Sequence, residues 1–226
     1  MLDVAQDIIG KDDEILILGD YADFYWFSGF QKDPNINTTV QYEIDSVVKK
    51  LRELRKLFPK SKITYLEGNH EYRLFRYIQN CSPHLFNFVD TREILELHDL
   101  QIDYIPYGPY QKHNIMKSGL WARHEPYSES KHCCANSLTR SGESLLFGHT
   151  HRIQHHESMT MTGKINSAFS CGWLGDKSSK VFTYVKGHPD WALGFGIVTI
   201  NDGTWFYNQV TIKDYKCLYA GHLYIG

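Results

Sequence analysis

The chain has 226 residues, with 24 Lys and Arg against 26 Asp and Glu, a formal net charge of -2 and twelve His. That length suits one large domain, or two small ones at most, and can bury roughly 70% of the unfolded chain's surface without a disulfide or structural metal. An aromatic fraction of 14% argues against disorder, and the near-neutral charge excludes a broadly basic, non-specific nucleic-acid binder. No run approaches the ~18 apolar residues of a membrane-spanning helix, and no signal-peptide layout opens the chain. Five cysteines (Cys81, Cys133, Cys134, Cys171 and Cys217) show no CxxC spacing, so a reducing, cytoplasmic setting is expected.

Taken in chain order, Val4, Ile8 and Ile9 suggest a short amphipathic helix. Residues 15–19 form an apolar run ended by Gly19, as expected of a strand buried on both faces of a parallel sheet. Apolar positions from Val40 to Phe58 recur every three or four residues, which predicts a helix over 38–58, closed by Pro59. Residues 62–66 read as the next strand, and this strand–helix–strand alternation implies an α/β sheet. Further strands are expected at 102–105, 115–123, 144–148, 165–170, 195–201 and 204–212, with a helix around 130–139. The last two strands are joined by the hairpin signal Asn201-Asp202-Gly203. Without a repeat, a low-complexity tract or a Gly/Ser linker, residues 1–226 read as a single domain.

Three polar motifs each follow a predicted strand: Gly19-Asp20-Tyr21-Ala22-Asp23, Gly68-Asn69-His70-Glu71 and Gly148-His149-Thr150-His151. Between the second and third, Gly119-Leu120-Trp121-Ala122 runs into Arg123-His124. Ligands of open α/β sheets gather beyond the carboxyl ends of strands, and Asp, Asn and His supply the mixed N/O donor set of Zn, Mn, Fe or Co. Tyr21, Tyr25 and Trp26, beside Asp20, are either base-stacking residues or core and rim residues. His113 and His132 compete with His124 for a ligand role but are both expected to be exposed, and His155 and His156 are expected to be structural.

In this order, GDxxD, GNHE, a lone His after a strand and GHTH, the chain resembles the calcineurin-like metallophosphoesterases, from about residue 5 to about residue 212. The tail Gly187-His188-Pro189-Asp190-Trp191-Ala192-Leu193-Gly194-Phe195 also resembles the single-domain branch common in bacteriophages, a hint of viral origin and of a host-cytoplasm location. The resemblance implies a four-layer α/β/β/α sandwich with two mixed sheets, and a centre of divalent transition metals (Mn, Zn, Fe or Ni). It implies that Asp20 bridges two metals, that Asn69, His124 and His149 complete the second position, and that His151 binds the first. His70 would protonate the leaving group or steady phosphoryl charge, with Asp23 orienting it. Arg73 and Arg152, which flank the second and third motifs, are candidates to grip a phosphate, as is Arg76.

One departure stands out. The family opens with a strand ending in D-x-H that holds the first metal, and nothing of that kind precedes Asp20. The opening strand is therefore expected to be missing, one metal site complete and the other left with Asp20 and His151. The leading function is metal-dependent hydrolysis of a phosphodiester or nucleotide-like phosphoester, with no membrane partner. The first rival is a catalytically weakened phosphate- or nucleic-acid-binding module that keeps one metal. The second is a fragment completed by an N-terminal segment or by a second copy of the chain.

Overall fold

The computed structural model describes residues 1–176 and 189–226, and it is a mixed α/β structure with several sheets. Gly187 and His188 of the tail motif lie outside the described residues. The chain divides into two compact units, one formed by Ile9–Pro109, the other by Met1–Ile8, Tyr110–Gly175 and Asp190–Gly226. Met1–Ile8 carries α1 (Leu2–Ile8), at the expected position.

In the unit Ile9–Pro109, β1 (Glu14–Ile17), α2 (Val40–Leu57) and β2 (Lys62–Leu66) fall where the apolar patterns place them. Helix α2 opens at Thr39, whose hydroxyl accepts from the Tyr42 amide at 3.1 Å, and its last turn carries Arg55 and Lys56 against the helix dipole. After β2 come α3 (Tyr72–Cys81), α4 (Thr91–Ile94) and β3 (Asp103–Ile105). The three strands form a parallel sheet in the order β1-β2-β3, with Ile15 opposite Ile63 and Tyr65 opposite Tyr104. The central strand β2, not β1, is the buried one: Ile63 to Leu66 are all buried, whereas Glu14 to Leu16 are half-buried. The core joins Ile17, Ile63 and Tyr65 to Val47 and Leu51 of α2, Leu74 of α3, and Leu95 and Leu97 beyond α4. Parallel strands share one carboxyl edge, so the segments after β1 and β2 leave the sheet on the same side.

In the other unit, β4 (His113–Asn114), β5 (Trp121–Arg123), α5 (Cys133–Ser141), β6 (Leu145–Phe147), β7 (Ile153–Met159) and β8 (Ile165–Cys171) follow in turn. Their sheet has the order β4-β5-β6-β8-β7, with β5, β6 and β8 mutually parallel. The strand expected at 115–123 is mostly a hairpin turn. Met116, Lys117 and Gly119 have positive φ, and the Gly119 amide donates to Asn114 Oδ1, so only Trp121–Arg123 remains extended. Cys133, Cys134 and Leu138 of α5 pack on Leu145, Phe147 and Ala168. β9 (Gly194–Asn201) and β10 (Thr204–Thr211) pair antiparallel through Asp202 and Gly203, both at positive φ as the two-residue turn requires. The unit ends in the hairpin of β11 (Lys216–Tyr219) and β12 (His222–Ile225), where Val4 of α1 meets Val210 and Cys217. Among the described residues, no helix is long and apolar enough to cross a membrane.

Candidate metal centre

Both units carry their motif residues just past the carboxyl ends of parallel strands. In Ile9–Pro109, Asp20 follows β1 with φ 55, and Gly68 to Glu71 follow β2. A non-glycine residue in the left-handed region is uncommon and strained, and such residues cluster at functional sites. Asp20 Oδ1 accepts from the His70 amide at 3.0 Å, which ties the two motifs together. The approach is so close at Gly68 that a Cβ there would lie 2.2 Å from Asp20 Oδ1 and 2.4 Å from the Asp20 amide nitrogen.

His70 and Asp23 are paired as the sequence suggests. His70 Nδ1 lies 2.7 Å from Asp23 Oδ1, while His70 Nε2 lies 3.7 Å from Asp20 Oδ2. Arg73 Nη2 stands 2.9 Å from His70 Nε2. A guanidinium can only donate, so Nε2 takes the acceptor role and Nδ1 carries the proton given to Asp23. Burial alone would raise the Asp23 pKa, but hydrogen bonds and charge from His70 and Arg73 outweigh it and hold the carboxyl below its usual value.

Arg73 is not placed to grip a phosphate. It is buried, and its Nη1 donates to the Asp23 carbonyl at 2.8 Å and to Asp23 Oδ1 at 2.7 Å. Its role here is to fix Asp23 and His70. Arg76 is exposed on α3. Of the aromatic residues beside Asp20, Tyr21 is exposed and Tyr25 buried, and the Trp26 indole donates to the Thr38 carbonyl.

Two glutamates that the sequence reading assigned no role lie fully or nearly fully buried around this turn. Glu67 accepts from the Thr91 hydroxyl and the Tyr107 amide, each at 2.9 Å. Glu71 accepts from four backbone amides and the Tyr65 hydroxyl. Burial first, then the nearby Asp20 charge, push the Glu71 pKa up, while the donated hydrogen bonds act against the rise.

In the other unit, His124 follows β5 and His149 follows β6, on neighbouring parallel strands whose last paired residues are Arg123 and Phe147. His124 is fully buried and its amide donates to Gln111 Oε1 at 2.8 Å. His124 Nε2 and His149 Nδ1 are 3.2 Å apart, with the rings edge to face. Two nitrogens bound to one ion at about 2.0–2.1 Å each stand about 3 Å from one another in tetrahedral or octahedral geometry, so this spacing fits a pair of ligands. The other ring nitrogen of His149, Nε2, lies 3.5 Å from Oε1 of the exposed Glu129, longer than an ordinary hydrogen bond. His149, like Asp20, has positive φ (57°).

His151 shares that backbone strain, with φ also 57°. Its ring is enclosed by indoles, stacked on Trp173 at 4.8 Å and edge-on to Trp191 at 4.7 Å. The tail segment holds this arrangement: the Ala192 amide donates to the His151 carbonyl, and the Trp173 amide to the Ala192 carbonyl. Arg152 is committed as well, with Nε on Asp190 at 2.9 Å and Nη1 on the carbonyls of Glu129 and Ser130. His132 is exposed, and His155 stacks on Phe169 from β7, in keeping with structural roles.

In one unit His124 and His149 offer two imidazoles, and in the other Asp20 offers a carboxylate, donors whose chemistry suits a divalent transition metal. Asn69 is half-buried between Gly68 and His70.

No family model matches the chain, and no solved structure matches it. It is similar to the Gene 54 protein of Mycobacterium phage D29, at 25% identity over 201 residues covering 84% of this chain and 78% of the phage protein. The Gene 54 protein of Mycobacterium phage L5 is similar to the same extent. Both relatives are phage proteins, the kind of source at which the tail motif hints.

Proposed function

We propose that this chain is a metal-dependent phosphoester hydrolase acting on a phosphodiester or nucleotide-like phosphate, on the four-layer α/β/β/α frame that its resemblance to calcineurin-like metallophosphoesterases implies. By that resemblance Asp20, Asn69, His124 and His149 would hold a divalent transition metal, and His151 with Asp20 would furnish a second, weaker position. A bound divalent ion supplies Lewis acidity and neutralises charge on the phosphoryl oxygens. His124 would present Nε2 and His149 would present Nδ1. His70 would protonate the leaving group or steady phosphoryl charge, with its ring held through Nδ1 by Asp23 and Arg73 kept against both.

The observation that carries this reading is the 3.2 Å separation of His124 Nε2 and His149 Nδ1. An N–H···N hydrogen bond between the imidazoles has the same length, so metal dependence is what separates the two. The test is hydrolysis of bis-p-nitrophenyl phosphate by the purified chain, with Mn2+ or Zn2+ added and after chelation. Turnover that needs metal and is lost in His149→Ala supports the hydrolase. One tightly bound ion with no turnover in excess Mn2+ supports the binding-module alternative instead.

A further inference from the structure

We infer that Glu71 is a positioning residue for Asp20: it clamps the segment after β1 to the turn after β2 and so sets where the Asp20 carboxylate stands. The inference rests on the proposed reading of Asp20 as a metal ligand.

Glu71 is fully buried. Its Oε2 accepts from the Asp20 amide at 3.0 Å and the Gly68 amide at 2.9 Å. Its Oε1 accepts from the Tyr21 amide at 2.7 Å, the Ala22 amide at 2.9 Å and the Tyr65 hydroxyl at 2.5 Å. Three consecutive amides aimed at one carboxylate demand a tight turn, and Asp20 enters it in the left-handed region at φ 55. Aspartate enters this region more readily than most residues, as a single turn residue, and the bonds to Glu71 fix the turn there. Glu71 provides that restraint from a position 51 residues away in sequence, anchored at the start of α3. The tie is reciprocal, since Asp20 Oδ1 accepts from the amide of His70, the residue before Glu71.

The chemistry requires a carboxylate. All five partners are donors, and a carboxylate has about four lone-pair directions and no N–H. A glutamine of the same shape would turn an NH2 group toward at least two of these donors, whichever way the amide flips. The predicted consequence is not general unfolding but a loosened Asp20.

The experiment titrates the full chain with Mn2+ alone, by calorimetry, alongside thermal melts. Glu71→Gln is expected to stay folded and to bind Mn2+ at least about tenfold more weakly, as the loss of a group that orients a ligand typically does. In an Asp20→Asn background, Glu71→Gln should make no further difference, because its effect passes through Asp20. Unchanged Mn2+ affinity in Glu71→Gln, or an equal loss in both backgrounds, overturns the inference. Should Glu71→Gln fail to fold, Tyr65→Phe decides. Removal of its single O–H donor should weaken Mn2+ binding a few fold in the Asp20 background and not in Asp20→Asn, and unchanged binding overturns the clamp. A wild-type chain that takes up no Mn2+ defeats the metal reading itself, a result distinct from either variant's outcome.

Discussion

Replacing Gly68 by alanine inserts one methyl group where no room exists for it. The new Cβ would lie 2.2 Å from Asp20 Oδ1, 2.4 Å from the Asp20 amide nitrogen and 2.8 Å from Glu71 Oε2. Real contacts of this kind begin near 3.0 Å, so the Asp20 backbone must retreat by more than half an ångström. A side chain could rotate away, but an amide nitrogen bonded to buried Glu71 cannot do so without breaking that bond. Overpacking of this sort costs about 1–3 kcal/mol, and the upper end applies because backbone is the obstacle. For a chain of this size each kcal/mol lowers Tm by about 2–4 °C, so a fall of roughly 6–12 °C is expected. Circular dichroism melts measure it, with Gly29→Ala as the control, since nothing lies within 4 Å of a Cβ there. Gly68→Ala should also lose most of its Mn2+ affinity as Asp20 is displaced. A variant melting within a degree of the parent and binding Mn2+ equally would refute the close approach of the two motifs.

His124→Ala and His149→Ala should each weaken Mn2+ binding by about 100-fold or more, measured by calorimetry, whereas the exposed His132→Ala should leave it unchanged. His70→Ala should lower turnover of bis-p-nitrophenyl phosphate by about 10²–10⁴-fold while the metal content by elemental analysis stays that of the parent. The Asp23 carboxyl is held below its usual value in the folded state, so its ionised form is the one that folding favours. Its contribution to stability is therefore fully present above the unfolded value of about 3.9 and is lost as the pH falls through the lower folded value. Acid titration of unfolding should show this loss in the parent and a flatter acid limb in Asp23→Asn.

Elements whose pattern reports burial directly are legible in the sequence. Helix α2 is read from one apolar stripe, β2 as the second strand of a strand–helix–strand alternation, and the β9–β10 hairpin from Asn201-Asp202-Gly203. Strand β7 escapes because Glu157 to Met159 face solvent at the sheet edge and show no apolar alternation. The run 115–123 misleads because its apolar residues fold into a turn, a fact carried by backbone angles at Met116 and Lys117 that composition does not reveal. At the site, the pairing of Asp23 with His70 and the grouping of His124 with His149 are what the family resemblance implies. The burial of Arg73 and the hydrogen bonds of Arg152 are not legible, since an arginine near a phosphate-type motif reads the same whether its donors face a ligand or a neighbouring carbonyl. Glu71 is visible in GNHE, yet its five donors come from Asp20 to Ala22, Tyr65 and Gly68, and only folding shows that they share one acceptor.

Anomalous scattering at the manganese edge from crystals soaked in Mn2+ measures the metal reading most directly. A single strong peak about 2.0–2.3 Å from both His124 Nε2 and His149 Nδ1 is the expected result. No peak there at saturating Mn2+, with the two imidazoles still joined at 3.2 Å, would mean that they form a hydrogen bond and not a metal site.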